Sequence, residues 1–156
     1  MRRTLAIGAM LSLLVVPSVA SGENSRRADC TIRGTSGADD LRGTDARDVI
    51  CGLGGDDEIR GRDGNDLLLG GPGDDDIGGD RDNDLIKGGT GSDNLSPGSG
   101  ADRMKGGDGP EFCLWGGDGH GDDVVDGGAG RDRYTADPGD RVISAEEQTG
   151  ACPPRV

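Results

Sequence analysis

Apolar and polar residues alternate along this chain with a period of nine. From Gly34 to Ser96 seven nonapeptides follow one another without a gap: GTSGADDLR, GTDARDVIC, GLGGDDEIR, GRDGNDLLL, GGPGDDDIG, GDRDNDLIK and GGTGSDNLS. With Gly34 as position 1, position 8 reads Leu41, Ile50, Ile59, Leu68, Ile77, Ile86, Leu95 and Met104, apolar throughout. Nine is not a helical period. Positions 7 to 9 predict a minimal strand with alternating side chains, so that position 8 points inward and positions 7 and 9 point outward. Positions 1 to 6 must then reverse the chain. Gly stands at position 4 in ten of the twelve units, where it takes a positive φ without penalty. Ala46 and Asp82 depart from this rule and are expected to strain their turns.

If each unit turns the chain by half a circuit, two units make a coil of 18 residues, and unit n stacks on unit n+2 about 4.8 Å away. The expected fold class is all-β, a parallel solenoid of tandem nonapeptides, two per coil. Composition supports it. Of 156 residues 32 are Gly, only 2% are aromatic and 31% hydrophobic, too little for an ordinary globular core, whereas a solenoid needs one buried residue per rung.

Position 6 carries the candidate chemistry. It reads Asp39, Asp57, Asp75 and Asp93 on one side of the coil and Asp48, Asp66, Asp84 and Asp102 on the other. Carboxylates at such spacing repel unless a cation lies between them. Gly-rich turns also leave carbonyls unpaired, and carboxylate with carbonyl oxygen is the ligand set of calcium. The net charge of −13 makes a cation the natural partner and argues against nucleic acid.

The unit resembles the G-G-x-G-x-D-x-U-x nonapeptide of the RTX (repeats-in-toxin), or hemolysin-type, calcium-binding proteins. Gly70-Gly71-Pro72-Gly73-Asp74-Asp75-Asp76-Ile77-Gly78 and Gly88-Gly89-Thr90-Gly91-Ser92-Asp93-Asn94-Leu95-Ser96 fit it at every fixed position. The resemblance covers about residues 34–144. It implies a right-handed parallel β-roll in which the position 6 Asp and turn carbonyls hold calcium, and folding only once calcium is met outside the cell. Uninterrupted stacking of the acids predicts about six ions.

The repeat degrades after Met104. Unit nine has Glu111 at position 6 and Cys113 at the core position, and an irregular insertion falls near 114–120. The register is expected to resume with Asp123 and Val125, then Asp132 and Tyr134, and to end with Arg141 and Ile143; an Arg at position 6 reads as a cap. Asp123 and Asp132 complete the candidate ligands. Phe112, Trp115 and Tyr134 are expected to plug the break. Position 7 on one sheet shows an apolar stripe of Val49, Leu67 and Leu85, resuming at Val124 and Val142, a candidate surface for a protein partner or self-association.

At the N-terminus Arg2 and Arg3 precede an apolar run from Leu5 to Val16, and Ser18-Val19-Ala20 supplies a cleavage site. This predicts a signal peptide over 1–20, an N-terminal cap over 21–33, the roll over 34–144 and a C-terminal cap over 145–156. The run is too short for a comfortable membrane span. Four cysteines fit an oxidising exterior, paired as Cys30 with Cys51 and Cys113 with Cys152 if each pair staples one end. The first pairing meets an obstacle: Cys30 falls at position 6 and Cys51 at position 9, about 10 Å apart along a strand. Either the chain before Ile32 leaves the register or the pairing differs.

No nucleophile elbow and no second histidine accompany His120, so the expectation is a secreted, extracellular protein that is not an enzyme, with a structural, adhesion or matrix role. The alternative is a residual secretion or folding module of an extracellular enzyme, whose catalytic domain the mature length would not accommodate.

Overall fold

The computed structural model describes residues 29–109, 113–116 and 122–144, and the backbone of 147–148. The expected signal peptide, Glu111, Phe112, His120 and Cys152 lie outside the described residues. The chain runs through β1 (Ile32–Arg33), β2 (Asp40–Arg42), β3 (Val49–Cys51), β4 (Glu58–Arg62), β5 (Leu67–Pro72), β6 (Asp76–Arg81), β7 (Leu85–Thr90), β8 (Asn94–Ser99), β9 (Arg103–Asp108), β10 (Cys113–Gly116), β11 (Val124–Ala129), β12 (Arg133–Ala136), β13 (Arg141–Val142) and β14 (Glu147–Gln148). Odd strands form one seven-stranded sheet and even strands the other, each in sequence order and with parallel pairing. This is the parallel β-solenoid that the nine-residue period predicts.

Register follows from the period. Leu68 lies opposite Ile50 and Ile86, and Ile77 opposite Ile59 and Leu95, always 18 residues apart. The position 8 residues Ile50, Ile59, Leu68, Ile77, Ile86, Leu95 and Met104 make a single buried file, continued by Leu114 and Val125. Burial of each such side chain contributes about 1.5 to 3 kcal/mol. Ile32 and Leu41 at one end, and Tyr134 and Val142 at the other, pack against the file while only partly buried. Most strands are longer than the three residues expected, because positions 1 to 3 stay in the ladder: Gly71 pairs with Gly89 and Pro72 with Thr90.

Late register differs from the expectation in two places. Leu114, not Cys113, faces Leu95, while Cys113 sits opposite Asn94. Val142, not Ile143, faces Val125, and Ile143 is 55% exposed. The ladder and the core residue set the register, and the intervening turn absorbs the change in length. Arg141 therefore falls at position 7, opposite Val124, and Asp140 takes position 6.

The outward stripe loses only Val142, which turns in to pack against the core file; Val49 and Leu67 are half-buried, Leu85 is 37% exposed, and Arg103 follows Leu85 in the ladder where the stripe was expected to break. Trp115 lies in β10, where the repeat breaks, with its indole N–H donating to Asn94 Oδ1 at 3.1 Å. Among the described residues no helix is long and apolar enough to cross a membrane.

Cys30 and Cys51 are bonded, with their Cα atoms 5.9 Å apart. The geometric obstacle disappears because the strict ladder ends at Ile32: Thr31 N–H donates to Val49 O at 2.8 Å, out of the pattern that Gly34 N–H follows in reaching Cys51 O. The expected bond from Cys113 to Cys152 involves a residue outside the described ones. No described cysteine is free.

Candidate metal centre

From Asp57 to Asp93 each position 6 carboxylate divides its two oxygens between two tasks. Oδ1 accepts a backbone N–H from the Asp one coil earlier: Asp39 N–H reaches Asp57 Oδ1 at 2.9 Å, Asp57 reaches Asp75 at 2.9 Å, and Asp75 reaches Asp93 at 2.9 Å. On the opposite side Asp48 reaches Asp66 at 2.7 Å, Asp66 reaches Asp84 at 2.8 Å, Asp84 reaches Asp102 at 2.7 Å, and Asp102 reaches Asp123 at 2.9 Å. The position 6 acids are also structural rungs, at most 6% exposed among the described ones from Asp48 to Asp132. Asp132 is buried on the side of Asp93, its Oδ2 beside the Ser144 carbonyl next to Gly127.

Oδ2 is the unusual atom. In Asp57, Asp66, Asp75, Asp84 and Asp93 it is buried and meets no hydrogen-bond donor. A buried carboxylate oxygen without a partner costs several kcal/mol unless a cation compensates it. The space beside it is shaped by the Gly at position 1. A Cβ built on Gly61 would stand 2.6 Å from Asp66 Oδ2 and 2.6 Å from the Gly79 carbonyl oxygen of the next coil. Gly52, Gly70, Gly79 and Gly88 stand in the same relation to Asp57, Asp75, Asp84 and Asp93 and to a carbonyl one coil on. Absence of a side chain thus leaves a cradle walled by one carboxylate and one carbonyl.

Electrostatics agree. Burial pushes Asp57, Asp66 and Asp75 above the usual carboxylate range, against the hydrogen bond that each accepts from the preceding Asp. Asp84 is pushed up to about 7, by burial first and then by the charges of Asp102, Asp66 and Asp82. Asp93 rises to about 6, by burial and the charges of Asp75 and Asp74. Such a column is poor at holding its own negative charge. Among the described residues no three side chains of His, Cys, Asp or Glu converge on a point. The donor set is one hard carboxylate oxygen with backbone carbonyls, which fits an oxygen-seeking divalent cation of flexible geometry, calcium, and not a thiolate- or imidazole-bound metal.

Turn backbones hold this arrangement in place. Position 4 is left-handed at Gly55, Gly64 and Gly73, as expected, and Asp82 adopts φ 69° there at a strain cost. Ala46 does not have a positive φ, so its turn escapes the expected strain by another conformation. Position 2 is left-handed too, which the period did not reveal: Leu53, Arg62 and Asp80 sit at φ 84°, 83° and 79°.

Two candidate ligands differ from the rest. Asp39 Oδ2 accepts from Thr35 N–H at 2.6 Å and its hydroxyl at 3.0 Å; Asp48 Oδ2 accepts from Thr44 N–H at 2.7 Å and its hydroxyl at 2.8 Å. Burial pushes the Asp48 carboxyl up, but the hydrogen bonds from Thr44 and Thr31 outweigh it and the net shift is downward. Asp140 was missed altogether. Its Oδ1 accepts from Asp123 N–H at 3.1 Å and its Oδ2 from Asp137 N–H at 2.6 Å, so it ends the column where an Arg was expected.

Searches of the curated proteins and of the solved structures found no significant match. A family model for the RTX calcium-binding nonapeptide repeat matches four stretches, residues 33–68, 52–86, 78–110 and 114–143. Together they span most of the described chain and more than half of the whole, over the same residues whose buried carboxylates and bare glycines build the cradles. The chain belongs to the RTX calcium-binding repeat family.

Proposed function

We propose that this is a secreted, non-enzymatic structural protein that becomes compact by binding calcium between its coils, with an extracellular adhesion or matrix role. The carrying observation is the file of buried Oδ2 atoms with no donor in Asp57, Asp66, Asp75, Asp84 and Asp93. Asp57, Asp75 and Asp93 on one side, and Asp66 and Asp84 on the other, would hold the ions with the carbonyls beside them. Calcium supplies the positive charge that these oxygens lack, and the residues supply position: the Oδ1 hydrogen bonds fix each carboxylate, and the position 1 glycines keep the space clear. About six ions would carry roughly as much positive charge as the net negative charge of the chain. Secretion is supported by the N-terminal apolar run with its cleavage site and by the Cys30–Cys51 bond, which suits an oxidising compartment.

Circular dichroism of the protein from Ser21 onward, titrated with calcium and with magnesium as control, tests this. A cooperative gain of β signal in calcium and a largely disordered spectrum in chelator are expected. Equal β signal in chelator would refute the reading.

A further inference from the structure

Calcium binding at the open carboxylates leaves the first turn on each side unexplained, because Asp39 and Asp48 have the same residue type at the same position but an Oδ2 already bound by hydrogen bonds. The cause lies four residues earlier. At Leu53, Arg62, Gly71, Asp80, Gly89, Gly98 and Gly107 position 2 has φ between 79° and 133°. Leu53 N–H is spent there on the Gly70 carbonyl of the next coil, at 3.0 Å, and so is turned away from Asp57. Thr35 and Thr44 occupy the same position without a positive φ. A β-branched residue is among those most penalised in the left-handed region. Their N–H groups turn instead onto their own Asp, and each hydroxyl adds a second bond to the same oxygen while accepting from the N–H two residues on, Gly37 or Ala46, at 3.2 Å. The other oxygen of Asp48 is taken by the Thr31 hydroxyl at 2.9 Å.

We infer that the residue at position 2 decides whether a turn of this roll takes calcium, and that Thr35 and Thr44 close the turns of Asp39 and Asp48 to the ion by donating N–H and O–H where the cation sits elsewhere. A cation entering at Asp48 must displace two hydrogen bonds from one oxygen; at Asp66 it displaces none. Asp137 N–H performs the same service for Asp140 at the far end. The inference rests on the calcium reading and goes beyond it by assigning which carboxylates are excluded.

Two reciprocal double variants of the full mature chain test it, with calcium per chain at saturation read by isothermal titration calorimetry. T35G/T44G frees position 2 to become left-handed and is expected to take up two more ions than wild type. L53T/R62T places threonine at exposed, left-handed positions and is expected to bind two fewer. Should T35G/T44G fail to fold, L53T/R62T decides alone: an unchanged ion count there overturns the inference. A wild-type chain that takes up no calcium overturns this inference and the proposed function together, whereas a calcium-binding chain with unaltered stoichiometry in L53T/R62T overturns only the role of position 2.

Discussion

The two oxygens of Asp75 can be separated by experiment. Asp75→Asn keeps an oxygen to accept the 2.9 Å hydrogen bond from Asp57 N–H but replaces the other with a neutral amide. Asp75→Ala removes both. In saturating calcium the two variants have lost the same charge, so the difference in their stability isolates the lost acceptor. A buried N–H left without a partner costs about 1 to 3 kcal/mol. Chemical denaturation monitored by circular dichroism should therefore place Asp75→Ala about 1 to 3 kcal/mol below Asp75→Asn, with some of the gap due to the cavity. Both should need about tenfold or more calcium to reach half-maximal β signal, since carboxylate count is what tunes such sites. Wild-type calcium dependence in Asp75→Asn would show that Oδ2 is not a ligand. Equal stability of the two variants would show that the Oδ1 ladder carries no load.

Asp84 and Asp93 have folded pKa values of about 7 and about 6, above the ordinary carboxyl value, so they favour the calcium-free roll at low pH and lose that contribution as pH rises through 6 to 7. Calcium needs the ionised forms, so affinity should fall as pH drops through that window, and calcium added near pH 6.5 should release protons into weakly buffered solution; proton uptake would contradict the assignment. Gly61→Ala should abolish the ion at Asp66, because the new Cβ stands 2.6 Å from both ligand oxygens, whereas Gly37→Ala meets nothing within 4 Å and should bind as wild type; calorimetric ion counts compare them. The Cys30→Ser/Cys51→Ser variant, which opens a loop of sequence separation 21, should lose about 3 kcal/mol in denaturant unfolding at saturating calcium.

Periodicity made the column of Asp and the file of Ile and Leu readable, because a strand register repeated at constant spacing leaves one residue type per environment. It failed where spacing changed. The 21-residue step from Asp102 to Asp123 was absorbed by the expected insertion, but Asp140 follows Asp123 by only 17, so a rule of constant length placed Arg141 and Ile143 one residue late. The ladder holds its partners and the loop gives way, which no count of residues shows. Hydrogen bonding was the other blind spot. From spacing alone Asp48 and Asp66 are the same residue; what separates them is the N–H and hydroxyl of Thr44, a signal present in the sequence at position 2 but legible only once the backbone of that turn is known.

Because the N–H groups of Asp39, Asp48, Asp57, Asp66, Asp75, Asp84, Asp102 and Asp123 all reach forward to the carboxylate of the following coil, the two ends of the solenoid are chemically unlike: one offers acceptors and the other offers donors. Bodies with complementary, unlike ends add head to tail, and such contacts do not close but grow into fibres. Thr31 over Asp48, the Cys30–Cys51 link beside it and Asp137 folded onto Asp140 fill both ends of one of the two Asp columns from within the chain. Filling these end positions from within the chain is expected to oppose head-to-tail growth of stackable units.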